Sequence, residues 1–94
     1  MSGSTDEILS IDGPLTMATV GAWLEQGRAR ARAGDLVVDF SAVTAADSAA
    51  LALLFDWLRV ARQAGRTVRQ TGMPAGMRSL AVLYGVDELL PAEA

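Results

Sequence analysis

The sequence has no cysteine, no histidine and no lysine, and aromatic residues make up only 5% of its 94 positions. Without thiols or imidazoles, the chain cannot form disulfides, use thiolate or histidine catalysis, or supply the usual zinc ligands. Its carboxylates show no metal-ligand spacing, and no glycine-rich nucleotide-binding loop is present. We therefore predict a protein that is not an enzyme and that has no bound metal or cofactor.

Positive charge is also scarce, since the chain has eight arginines and eleven acidic residues, which gives a net charge of -3 at pH 7. This balance argues against nucleic acid as the main partner. No segment approaches eighteen consecutive apolar residues, and the polar start Met1–Glu7 is unlike a secretory signal. We expect a cytoplasmic protein that does not insert into a membrane, with a flexible start at 1–6 and a single domain at 7–94.

Strand and helix patterns alternate along the chain and predict an α/β domain with a largely parallel sheet. The predicted strands are Glu7–Asp12, Asp35–Phe40 and Thr67–Thr71. We place the second strand in the middle of the sheet, covered on both faces, and the third towards an edge. The predicted helices begin near Thr16, Asp47 and Pro74 and stop near Gly34, Gly65 and Gly85, and Val86–Leu90 adds one further turn.

The predicted ends of the first two strands and of the first helix depend on a few turn and cap residues. Gly13-Pro14 is a chain-turning pair that should end the first strand. Thr16 is the expected N-cap of the first helix, and Gly34 is expected to close that helix in a left-handed conformation. The small residues Ser41–Ala46 are expected to form a connection between the second strand and the second helix.

The second helix is apolar around more of its circumference than a helix on one sheet face requires. Its polar strip is narrow and consists of Ser48, Asp56, Arg59 and Gln63, with Ala52 among them. The residues assigned to the core are Leu51, Leu54, Phe55 and Leu58. The remaining flank, which we expect to meet another protein, consists of Ala49, Leu53, Trp57 and Val60. The alternative is that the first or third helix covers this flank.

Ser48 follows Asp47 at the predicted start of the second helix, and its hydroxyl has three interpretations. Either this hydroxyl or the carboxylate of Asp47 could cap the helix by accepting a hydrogen bond from a backbone N–H group. A phosphate on Ser48 would lie at the positive helix end, opposed by the charge of Asp47, and could switch a contact surface. As a nucleophile it lacks both a histidine and a Gly-x-Ser-x-Gly turn, so hydrolase chemistry is the weakest interpretation.

The segment from Leu36 to Leu90 resembles the STAS domain family, which includes bacterial anti-sigma factor antagonists and the cytoplasmic tails of sulfate transporters. The residues that carry this resemblance are Leu36–Ser41, Val43 and Asp47–Leu51. Within the family, the segments similar to the MlaB-like subunits of phospholipid ABC transporters are Leu51–Leu54, Gln63–Gly65, Leu80–Tyr84 and Leu89–Pro91.

The resemblance implies a mixed, mostly parallel four-stranded sheet with about four helices and an antiparallel N-terminal strand. It places Ser48 at the hydroxyl position that contacts the MlaF-like ATPase subunit, and Asp47 at the acid before it. Two residues depart from the family pattern. Ala50 replaces a glycine, and Ala49 stands where SpoIIAA-like antagonists carry their phosphorylated serine.

From these features we expect a non-enzymatic accessory subunit, peripheral to the inner membrane, that binds and stabilises an ABC transporter ATPase. The expected partner-binding residues are Asp47, Ser48, Ala49, Leu53, Trp57 and Val60. The alternative is an anti-sigma factor antagonist that is regulated by phosphorylation of Ser48. In isolation, the same apolar flank could also pair two copies as a homodimer.

Overall fold

Strands and helices alternate in the computed structural model, which describes residues 7–94, and this confirms the α/β prediction. The elements are β1 (Glu7–Leu15), α1 (Gly21–Ala33), β2 (Leu36–Ala46), α2 (Ser48–Gln63), β3 (Val68–Thr71) and α3 (Ala75–Leu83). A single 3-10 turn follows at Asp87–Leu89, within the segment where one further turn is predicted. The predicted flexible start, residues 1–6, lies outside the described residues.

The sheet has the order β1-β2-β3, and both outer strands run parallel to β2. A helix between consecutive strands returns the chain to the same end of the sheet, as parallel pairing requires. The antiparallel arrangement implied for the N-terminal strand is therefore wrong for β1. Within residues 7–94 the sheet has three strands where four are expected, and near β3 there is only an isolated bridge between Gln70 and Glu93.

β1 and β2 both continue beyond the boundaries predicted for them. Gly13-Pro14 lies inside β1, and the expected connection Ser41–Ala46 is the second half of β2. The pairing of β1 with β2 continues through both segments by means of two register shifts, one between Ser10 and Asp12 and the other between Gly13 and Pro14. Since β1 pairs with β2 on one side, a proline can be accommodated there without breaking the ladder. The result is a two-stranded ribbon that extends past β3 towards the start of α2.

All three helices contribute to one core against a single face of the sheet. Leu9 lies opposite Val38 and Leu36 opposite Val68 on this face. The strand side chains in the core are Leu9, Ile11, Leu15, Leu36, Val38, Phe40 and Val68. On the opposite face of β2, Val37 is buried outside this core, Asp39 is half-buried and Ser41 is exposed. The central position of β2 is confirmed, and within the predicted strand the second face is buried at Val37 but only partly covered at Asp39.

The helix boundaries differ from the prediction mainly at α1. Thr16 does not cap this helix, because its carbonyl oxygen accepts hydrogen bonds from Thr19 and Val20 and closes a separate turn before Gly21. Gly34 has an extended backbone with φ 179, so a left-handed end to α1 is wrong. Gly65 has φ 71 and ends α2 as expected, since a glycine adopts this conformation without a steric penalty.

Candidate partner-binding groove

Trp57 fills the contact between α1 and α2. Its side chain is fully buried, and its indole N–H donates a hydrogen bond to the carbonyl oxygen of Leu24, 3.0 Å away. Gly27 makes this contact possible, since a Cβ atom added there would lie 1.9 Å from the indole ring. The lack of a side chain on this part of α1 therefore lets the two helices approach until the tryptophan is sealed between them.

Leu53, Trp57 and Val60 do not form an exposed flank of α2. Each is at most 5% exposed, because α1 packs along this side of the helix. The interpretation that the fold leaves these three side chains uncovered is therefore wrong, and α1 is the element that covers them. Of the predicted partner-binding residues on α2, only the two at its start stay open, since Ser48 is exposed and Ala49 is half-buried.

Asp47 fixes the start of α2 and joins it to the turn before α1. Its Oδ1 atom accepts a hydrogen bond from the backbone N–H of Ala49 at 2.8 Å and caps the helix. Its Oδ2 atom accepts a second bond from the backbone N–H of Met17 at 3.1 Å. Since Asp47 is the cap, the hydroxyl of Ser48 is not needed for that purpose and makes no hydrogen bond within residues 7–94.

An apolar groove opens where the turn before α1 meets the first half of α2. It has a volume of about 430 Å³. The residues that line it are Met17, Val20, Gly21, Leu24, Ser48, Ala49, Ala52, Leu53 and Asp56. The side chain of Met17 is 79% exposed at its edge, and small residues on both helices keep the space open. Such a concave apolar surface is suited to receive an apolar side chain from another protein.

The groove brings together part of the predicted partner-binding set. Ser48, Ala49 and Leu53 line it, while Asp47 holds its two sides together through the hydrogen bonds described above. Trp57 does not line it and belongs to the sealed contact with α1. The predicted residues therefore divide between an open surface and a structural contact.

Ala52 and the α1 side of the groove are the parts that the prediction omits. The positions 48, 49, 52, 53 and 56 follow one another at the spacing of a single helix face. That spacing is a signal that could have identified Ala52. Met17 and Val20 carry no comparable signal, because their place beside α2 depends on the hydrogen bond from Met17 to Asp47.

An ionic cluster lies at the end of the groove where Asp56 is found. The Asp56 carboxylate accepts hydrogen bonds from Arg28 Nε at 2.8 Å, Arg28 Nη2 at 2.9 Å and Arg59 Nη2 at 2.9 Å. Arg28 also pairs with Glu25 at 2.8 Å. The bonds from Arg28, followed by those from Arg59, hold the pKa of Asp56 below its ordinary value against the opposing effect of desolvation. Asp56 is therefore charged at neutral pH and joins α1 to α2.

Residues 7–94 contain neither a metal-binding cluster nor a membrane-spanning helix. No three acidic side chains in that range gather in a way that could hold a metal ion. The helices of the same range are all too short or too polar to cross a membrane.

The family of the chain follows from a comparison with family models. The model described as MlaB, STAS domain matches residues 2–91. The chain belongs to the STAS domain family. The three parallel strands and three helices described above are this chain's form of the family's α/β fold. Among curated proteins, no sequence matches this chain.

Two solved structures share the STAS fold with this chain. A candidate anti-sigma factor antagonist from Thermotoga maritima superposes with a TM-score of 0.77 at 13% identity, over 96% of this chain and 81% of that chain. The anti-sigma factor antagonist SpoIIAA in its unphosphorylated form superposes with a TM-score of 0.65 at 16% identity, over 99% and 84%. At identities this low, the comparison establishes a common fold.

Proposed function

We propose that this STAS domain is a non-enzymatic accessory subunit that binds the cytoplasmic ATPase of an MlaB-type phospholipid ABC transporter. The apolar groove is the contact surface. The observation that carries this proposal is the coincidence of an exposed apolar groove with the Asp47-Ser48 helix start, which is the position that the family resemblance assigns to the ATPase contact.

The groove is suited to protein binding because its two sides are held in place before a partner arrives. Asp47 ties the turn before α1 to α2, and the Arg28–Asp56 pair ties the two helices together at the other end. A surface that is already ordered loses little conformational freedom on association. A rigid domain that binds one state of an ATPase more tightly than another stabilises that state by mass action.

Substitution inside the groove tests this proposal. Ala52 is exposed and lines the groove, so Ala52→Glu should fold normally and place a charge where an apolar side chain of the partner would lie. We expect the affinity for the purified ATPase subunit to fall by at least about tenfold, since a charge buried without a partner is costly. Ser48→Tyr should have a similar effect by filling the opening.

Ala75→Glu is the matched control, because Ala75 is an exposed helical alanine on α3, away from the groove. Isothermal titration of each variant against the ATPase, with circular dichroism to verify folding, gives the comparison. Equal affinity for the wild-type chain, Ala52→Glu and Ser48→Tyr would show that the groove is not the contact surface.

A second candidate function is that of an anti-sigma factor antagonist switched by phosphorylation. It is supported by the exposed hydroxyl of Ser48, which makes no hydrogen bond within residues 7–94, and by the fold shared with two antagonist structures. Incubation with an anti-sigma factor kinase, followed by mass spectrometry, tests this function. A phosphate found on the wild-type chain but not on Ser48→Ala would favour it over the transporter subunit.

A further inference from the structure

A second depression lies beside the apolar groove on the same helix pair. It has a volume of about 350 Å³. The residues that line it are Arg28, Arg32, Arg59, Val60, Gln63 and Ala64. We call it the arginine depression. It is contiguous with the groove through Asp56, which lines the groove and accepts hydrogen bonds from both Arg28 and Arg59.

The charges around the arginine depression do not cancel. Arg28 and Arg59 are engaged with Asp56, and Arg28 also pairs with Glu25. Arg32 is exposed and forms no ion pair within residues 7–94. Three guanidinium groups and two carboxylates therefore leave about one positive charge, carried mainly by Arg32, in a concave site next to an apolar surface.

We propose that the arginine depression binds a carboxylate side chain of the same protein that fills the apolar groove. This inference rests on the proposed function and adds the chemistry of the partner. A carboxylate matches the site because guanidinium groups bind it through paired hydrogen bonds, and the amide of Gln63 can donate another. Its single negative charge also matches the one positive charge that the cluster leaves unneutralised.

The placement of the two sites predicts the spacing of the partner's residues. Leu53 lines the groove and Val60 lines the arginine depression. Seven residues of helix separate them, which corresponds to about 10 Å or two turns. A partner helix that lies along α1 and α2 should therefore present an apolar side chain and an acidic side chain about two turns apart.

A protein carboxylate fits the site better than a membrane or a nucleic acid does. Lipid headgroups and phosphate backbones are recognised by broad surfaces that carry many basic residues. The arginine depression is concave and has only one uncommitted guanidinium, in a chain with a net charge of -3. A polyanion would meet repulsion from the Asp56 and Glu25 carboxylates beside the depression.

Charge reversal at Arg32 tests the inference. Arg32→Glu should weaken binding to the purified ATPase subunit by about tenfold and reduce its dependence on salt, because one charge-assisted contact across the interface is lost. Arg78→Glu on α3 is the matched control, since it makes the same change at an exposed arginine away from both sites. An acidic-to-arginine substitution in the ATPase that restores binding to Arg32→Glu would identify the paired residue.

The outcomes separate this inference from the proposed function. If Ala52→Glu abolishes binding and Arg32→Glu binds like the wild-type chain, the groove is the contact surface and the carboxylate site is wrong. If neither substitution alters binding, both proposals fail. If Arg32→Glu reduces binding to vesicles that contain phosphatidylglycerol but not to the ATPase, the site recognises lipid and the inference is overturned.

Discussion

The middle of the α1–α2 contact is sealed, whereas the end nearest the start of α2 is open. In the middle, Gly27 lets the helices approach so closely that Trp57 is completely buried. At the open end, α1 begins only at Gly21, and the chain before it forms a turn that leaves the apolar groove. Both regions present an apolar face of α2. Whether such a face is covered therefore depends on the shape of the neighbouring backbone and not on the hydrophobicity of the face itself.

The largest loss of stability should come from removing the buried side chain of the sealed region. Trp57→Ala removes a fully buried ring, and we expect the free energy of unfolding to fall by about 3–5 kcal/mol. Met17→Ala, at the exposed edge of the groove, should change it by no more than about 0.5 kcal/mol. Urea denaturation measures both. Similar values for the two variants would remove the distinction between a sealed and an open region.

Adding a side chain inside the sealed region should cause the next largest loss of stability. Gly27→Ala places a methyl group against the Trp57 ring, and we expect a loss of about 1–3 kcal/mol. Gly76→Ala is the control, because a Cβ atom there meets no neighbour, and it should leave stability unchanged or raise it by up to about 1 kcal/mol. The double variant Gly27→Ala/Trp57→Leu should lose less than the two single variants together. Additive losses in urea denaturation would contradict direct contact.

A smaller effect is expected at the start of α2, beside the open region. Asp47→Ala removes the helix cap and the bond to Met17, so we expect thermal or urea unfolding to show a loss of about 1 kcal/mol. Ser48→Ala should be neutral within about 0.5 kcal/mol, because its hydroxyl is exposed and makes no hydrogen bond in residues 7–94. A greater loss for Ser48→Ala than for Asp47→Ala would reverse the assignment of the cap.

The smallest expected effect is on the pH dependence of stability, through the ionic cluster of Asp56 with Arg28 and Arg59. The pKa of Asp56 is lower in the folded chain than its ordinary value of 3.8, mainly because of its hydrogen bonds from Arg28. Its stabilising contribution is therefore fully present above the unfolded pKa and is lost as the pH falls through the folded pKa. In Asp56→Asn, we expect stability to fall less steeply than in the wild-type chain as the pH drops from about 4 towards 2.

Asp12→Asn is the control for this pH dependence, because Asp12 is an exposed acid on β1 outside the ionic cluster. Its acid unfolding curve should run parallel to that of the wild-type chain. Identical slopes for Asp56→Asn and Asp12→Asn would mean that the Arg28–Asp56 pair does not contribute to stability.

The sequence patterns predicted the helices and strands better than they predicted which side chains are exposed. Periodicity and turn residues located three strands and three helices, and Gly65 ends α2 as expected. The extension of β1 through Gly13-Pro14 was missed, because register shifts that accommodate such residues depend on the partner strand. Asp47, one of the two residues predicted to cap α2, is the cap in the structure. Its hydrogen bond to Met17 could not be predicted, because the two residues are thirty positions apart and no local pattern links them.

The order of the elements, the absence of cysteine and histidine chemistry, and the apolar character of α2 can all be read from the sequence, since they depend on composition and on neighbouring residues along the chain. The burial of Trp57 against Gly27, and the groove between the turn before α1 and the start of α2, could be seen only in the folded chain. Burial depends on the distance between helices. Here the distance is set by the contact of Gly27 with Trp57 and by the hydrogen bond from Met17 to Asp47. Both contacts are between residues that are far apart in sequence.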